Sequence, residues 1–282
     1  MSRVWDGVRN PVAIHLAREA RGWRGMAAIV GLVAALVVAT GVLQQYWYQY
    51  DVYVGWQPRL YYRWFLLLAA AEALLLPAWS GVRAAAIWQR LVARGQLADL
   101  APTQLSPLTI VLGAWCASLR PPTIVLLLAT GLGTVAALLH DGTVTVAQVV
   151  IAHGVLLAAC GGMAGLGIAA AAWLQSAALA SSVCVVAAIA ATGGVATLAP
   201  LYPRLAAPAT WTYVALLLNP LAAVATALNW DLLRTPWIYE GLRAADYAGA
   251  ARVTPWPWET AAGYAVLALV ALGAATGPLR PR

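Results

Sequence analysis

Glu72 is the most conspicuous ionisable group in this sequence, because it stands inside an apolar run, 64–82, long enough to cross a bilayer. A carboxylate at membrane depth is costly, and is by default a functional candidate. It either faces a water-filled or substrate-facing cavity, or is protonated and hydrogen-bonded within a bundle. No arginine shares its depth and the histidines fall nearer the ends of their runs, so no buried ion pair is expected. His140 and His153 flank the start of another apolar run, and two histidines on neighbouring helices are what axial ligation of a haem uses. A loop histidine and a hydrogen-bonded core histidine account for them as well. Cys116, Cys160 and Cys184 stand singly, with no CxxC pair, which supports neither a disulfide framework nor a thiolate metal site. No nucleotide-binding Gly-rich loop, zinc-protease motif or nucleophile elbow is present, and no acidic cluster has metal-ligand spacing. The sequence therefore predicts no catalytic residues and no metal site.

The elements that hold these residues follow from composition. Apolar residues make up 62% and charged ones 10% of the chain, and the mean hydropathy is +0.76. A soluble domain carries about 25% charged residues. So few charges cannot cover a water-exposed surface, and lipid is the solvent they imply. The net charge of +7 is spread along the chain, which argues against nucleic acid as a partner.

Six runs are read as spans: 26–43, 64–82, 123–139, 144–173, 177–198 and 260–276. Before them, 1–25 is predicted to be an amphipathic helix on the cytoplasmic face, with Val12, Leu16, Ala20 and Trp23 at helical spacing. The run 108–139 is too long for one perpendicular crossing. Arg120-Pro121-Pro122 is expected to divide it into a surface segment, 108–119, and a kinked span. The fourth span has a Gly-rich middle in which Gly161 and Gly165 form a small-residue packing face. Between the last two spans lies an outer loop, 199–257, whose apolar stretch 211–228 is interrupted at Asn219-Pro220. That interruption favours a re-entrant pair of short helices over a seventh span, since broken backbone at membrane depth needs protein around it.

Charge orients the chain. Eleven arginines (Arg3, Arg9, Arg18, Arg21, Arg24, Arg83, Arg90, Arg94, Arg120, Arg280, Arg282) fall on the side of the N-terminus, and six (Arg59, Arg63, Arg204, Arg234, Arg243, Arg252) on the other. The positive-inside rule places both termini in the cytoplasm of a cell whose plasma (inner) membrane the chain spans. All 11 tyrosines lie in or beside the outer segments, where interfacial anchoring is the ordinary role.

The cytoplasmic stretch 83–107 carries the most information. It reads Arg94-Gly95-Gln96-Leu97, Asp99-Leu100, Pro102-Thr103 and Leu105-Ser106-Pro107, followed by Ile110-Val111-Leu112-Gly113. This resembles the permease subunits of the ATP-binding-cassette type-2 exporter superfamily. There an Arg-Gly-Thr-Leu-Glu-Leu-Leu run is followed by a Thr-Pro-Leu-Ser-Pro turn and an Ile-Leu-Leu-Gly-Lys helix. Asn10-Pro11-Val12 with Arg18-Glu19-Ala20-Arg21 resembles the family's amphipathic N-terminal helix. Leu218-Asn219-Pro220-Leu221 resembles its outer re-entrant segment. Gln89 stands where the family usually has an acid, and Ala114 where it often has a lysine.

The resemblance implies an all-α membrane protein: six transmembrane helices, an N-terminal interfacial helix, a cytoplasmic coupling helix and outer re-entrant helices. Two such chains, alike or different, would form the transmembrane part of a transporter. Each would dock on a separate ATPase subunit that holds the ATP and magnesium, leaving this chain without cofactor or catalysis of its own. Residues 94–107 would seat in that subunit and transmit its closure as a rigid-body shift. Two alternatives use the same sequence differently. One is a haem-bearing or anchoring subunit of a membrane redox complex; the other is a non-transporting scaffold of the same fold.

Overall fold

The computed structural model describes residues 60–97, 105–139, 144–198, 208–229 and 254–279, together with positions 31, 35, 38 and 42, which are helical. The expected surface helix 1–25, the rest of the first span and the remainder of the outer loop lie outside the described residues. Seven α-helices have both ends among the described residues, and no strand occurs among those residues. They are α1 (Leu60–Ala93), α2 (Pro107–Leu139), α3 (Val146–Leu174), α4 (Ala177–Leu198), α5 (Pro208–Leu217), α6 (Pro220–Ala227) and α7 (Pro257–Ala275), followed by a short 3-10 turn at Gly277–Leu279. Four are long and apolar enough to cross a membrane: α1, α2, α3 and α7 with its 3-10 turn. Helix α4 carries a shorter apolar stretch, Ala177–Gly193.

Helix α3 is the axis of the bundle and packs against α1, α2, α4, α6 and α7. Its start is fixed by a reciprocal cap. The Thr145 hydroxyl accepts from the Gln148 amide at 3.3 Å, and the Gln148 side chain accepts from the Thr145 amide at 2.8 Å. Its end is a left-handed Gln175 (φ 51°), whose amide donates to Ala171 O at 3.2 Å. Ser176 follows at once and its hydroxyl accepts from the Leu179 amide at 3.4 Å, so α3 and α4 are joined by a two-residue turn.

Lipid gives no hydrophobic drive to helix association, so close approach and hydrogen bonding carry it. Small residues supply the first. A Cβ on Gly162 would meet Tyr264 of α7 at 2.6 Å, and one on Gly165 would meet Ala268 Cα at 3.2 Å. Gly167 faces the carbonyl of Gly81 on α1 with no room for a Cβ at all. The expected Gly161–Gly165 face is therefore divided: Gly165 meets α7, while Gly161 faces Trp115 of α2. The pairing that sets the closest approach, Gly81 against Gly167, links two helices far apart in sequence.

Side chains reaching across to backbone carbonyls supply the second. Gln89 Nε2 donates to Ala171 O at 2.9 Å, tying α1 to α3. Trp115 Nε1 donates to Gly161 O at 2.9 Å, and Trp173 Nε1 to Ala274 O at 3.1 Å. Two apolar clusters occupy opposite ends of the bundle. One gathers Trp88, Leu91, Val111, Ile168 and Leu272. The other gathers Phe65, Leu76, Val125, Leu156 and Val224.

Helix α2 departs from the expected division at Pro121-Pro122, because it runs unbroken for 33 residues. Trp115 before the prolines and Val125 after them are both held against α3, and those contacts carry the helix across two missing amides. The hydroxyls of Ser118 and Thr123 add bonds to Trp115 O (2.7 Å) and Leu119 O (2.8 Å) beside the gap.

Candidate functional sites

The first site is the link between α1 and α2. Helix α1 continues past its apolar part to Ala93 and ends in a turn at Arg94 and Gly95. There the Gly95 amide donates to Val92 O at 3.0 Å, and Gly95 takes the left-handed conformation (φ +69°) that terminates a helix without strain. Gln96 and Leu97 are helical again. Asp99, Leu100, Pro102 and Thr103 lie outside the described residues. The chain returns at Leu105 and Ser106. Ser106 Oγ accepts from the Thr109 amide at 3.2 Å and Pro107 occupies the first position of α2, which together make a strong helix start. Leu97 and Leu105 both pack on the cluster around Trp88 and Leu91, so the two ends of the link are anchored on one core.

Two departures from the exporter pattern have structural reasons. Gln89 donates through its amide to Ala171 O, which a carboxylate could not do. Ala114 is fully buried in the cluster, where a lysine would place a charge among apolar side chains.

The second site is Glu72. The expectation that it has no basic partner is corrected: His153 Nε2 lies 3.2 Å from Glu72 Oε2, and the two residues are 4% and 1% exposed. Helices α1 and α3 run parallel at a nearly constant offset, so Glu72 lies level with His153, Ser80 with Cys160 and Gln89 with Ala171. The alignment of the two atoms falls short of a hydrogen bond, and neither has another partner among the described residues. A small rotation of either side chain corrects the angle, so the approach is the informative quantity.

His153 Nδ1 lies 2.8 Å from Val149 O, and Phe65 packs edge-on against the ring with centroids 5.7 Å apart. Both ring nitrogens face oxygen atoms, which leaves neither turned toward an axial iron. His140 lies outside the described residues. One and two turns deeper, Ser80 donates to Leu76 O at 2.8 Å and lies beside Cys160 of α3. The seam between α1 and α3 is thus polar at several levels. Sequence spacing carries that signal, because Glu72 and Ser80 are eight apart and His153 and Cys160 seven apart, each pair on one helix face.

The third site is the break at Asn219-Pro220. Asn219 is 2% exposed; its Oδ1 accepts from the Ala222 amide at 3.0 Å, capping α6, and its Nδ2 donates to Thr192 O of α4 at 3.0 Å. Tyr264 of α7 donates its hydroxyl to Leu218 O at 2.6 Å. Interrupted backbone is thereby satisfied from two other helices. The sequence shows Asn219 and Pro220 but gives no sign of Tyr264 or Thr192 as their partners. No family model, characterised protein or solved structure matches this chain.

Proposed function

We propose that this chain is the permease subunit of an ATP-binding-cassette type-2 exporter, moved by ATP hydrolysis in a separate subunit. In this reading six spans place both termini in the cytoplasm and α5–α6 dip into the outer leaflet and return. Two copies, or two related chains, enclose the path, and residues 94–107 are the lever the ATPase grips.

The observation that carries the reading is the anchoring of that lever. A polar link between two long apolar helices would be slack if it were only a connection. Here Leu97 and Leu105 fasten both ends to the cluster that also holds α3, α4 and α7. A push on such a link reaches all five helices at once, as a rigid-body transition requires. The residues of the resemblance support the same reading, as does Asn219, whose cap and bond to α4 make the helical break a built feature.

The test is co-purification. Tagged chain extracted from its native membrane in lipid discs is expected to carry an ATP-hydrolysing subunit. That subunit is lost when 96–105 is replaced by a Gly-Ser segment of equal length, while the melting temperature of the replaced chain shows that the bundle still folds. No ATPase with the wild-type chain, or one that stays with the replaced chain, overturns the reading.

A further inference from the structure

The contact between Glu72 and His153 has a strict proton requirement. A carbonyl oxygen only accepts, so the 2.8 Å approach of His153 Nδ1 to Val149 O fixes the hydrogen on Nδ1. Nε2 then faces Glu72 Oε2 at 3.2 Å, with no other partner for either atom among the described residues. With one proton between them, the pair is either a neutral acid against a neutral imidazole or a carboxylate against an imidazolium. Both states have zero net charge and one donor facing one acceptor. Without that proton, a carboxylate oxygen faces a nitrogen lone pair, and a net negative charge is buried where Phe65 and the apolar residues of α1 and α3 exclude water.

We propose that Glu72 and His153 form a proton-binding site, holding one shared proton while α1 and α3 are closed on each other and releasing it to water when they part. The site does not depend on the permease reading. It needs only that the two helices separate in some state, and it would make that separation proton-linked.

The groups around the pair leave it isolated. On α3, Cys160 lies two turns deeper than the pair, beside Ser80. On α7, Tyr264 is turned to Leu218 O, and Glu259 is engaged at the helix start with the Trp256 amide. Helix α2 carries Cys116 and Arg120, both on its exposed side. Helix α4 offers only Cys184, packed in the cluster with Met163 and Tyr264. Helix α6 has no titratable side chain. Among the described residues no fixed cation is positioned to replace the proton.

Two measurements test this on the whole chain in lipid discs. The first is unfolding as a function of pH. The closed state keeps a proton that separated Glu72 and His153 lose as pH rises through the ordinary imidazole range. Stability is therefore fully present below that range and falls above it, by up to about tenfold in the folded-to-unfolded ratio per pH unit. In Glu72→Gln the amide donates to Nε2 and the closed pair has no shared proton to lose, so that slope should vanish between about pH 7 and about pH 8. An unchanged slope in Glu72→Gln, or a wild-type stability that does not fall over this interval, overturns the proposal. The second needs no variant. With 15N-labelled histidine, one of the three rings should keep its hydrogen on Nδ1 and a shared proton at Nε2, with neither nitrogen changing over that interval. If no ring shows that pattern, the shared proton does not exist.

Discussion

Gly167→Ala tests whether close approach of α1 and α3 holds the bundle together. The added Cβ would run into the Gly81 carbonyl oxygen and lie 2.9 Å from Gly81 C and 3.1 Å from its Cα. All three atoms are backbone, so no side chain can swing aside and the helices themselves must part. Overpacking by one methyl costs about 1–3 kcal/mol. Alanine's better helix propensity returns about 1 kcal/mol. Because the obstruction is rigid, the upper half of the range applies, and a net loss of about 1–2 kcal/mol is expected. Gly154 on the same helix is the control: it is exposed and a Cβ there meets nothing within 4 Å. Gly154→Ala should therefore keep only the propensity gain, so the two substitutions shift stability in opposite directions. Equilibrium unfolding in mixed micelles, followed by tryptophan fluorescence, measures both. If Gly167→Ala proves as stable as Gly154→Ala, the packing argument is wrong.

Two further substitutions examine the interrupted helix. Tyr264→Phe removes the donor to Leu218 O and leaves a carbonyl unsatisfied inside the protein, at a cost of about 1–3 kcal/mol in the same unfolding assay; an unchanged midpoint would mean that another group satisfies it. Asn219→Ala removes both the α6 cap and the bond to Thr192 O, and the cap alone accounts for about 1 kcal/mol. Amide exchange over 221–227 should quicken while exchange in α3 stays slow, and uniform quickening would show that α5–α6 are not a separable unit.

Helical membrane character was legible in the sequence because apolar runs and scarce charge reflect the solvent, a property of each residue alone. The helix break at Asn219-Pro220 was legible for a similar reason, since proline acts on its own backbone. Pro121-Pro122 misled because the same local rule was overridden by α3, which grips α2 on both sides of the missing amides. The Glu72–His153 pair was hidden for a third reason. Span boundaries drawn from hydropathy are uncertain by about one turn, and this contact depends on the relative register of two helices joined through a third. Nothing within either helix specifies that register. Gly81 against Gly167 sets it, and that pairing is visible only once the helices are assembled.

The placement of α3 bears on how any motion of this molecule should be observed. A helix packed by five neighbours, with tryptophan and glutamine side chains bonded into its carbonyls, is held against sliding although Val150, Ile151 and Gly154 leave one flank exposed. Spectroscopic labels at Ala159 or Ala164 would report little except loss of structure. Labels on the outward side of α4, at Val186 or Ile189, would leave the scaffold intact and record displacement against the stationary shaft.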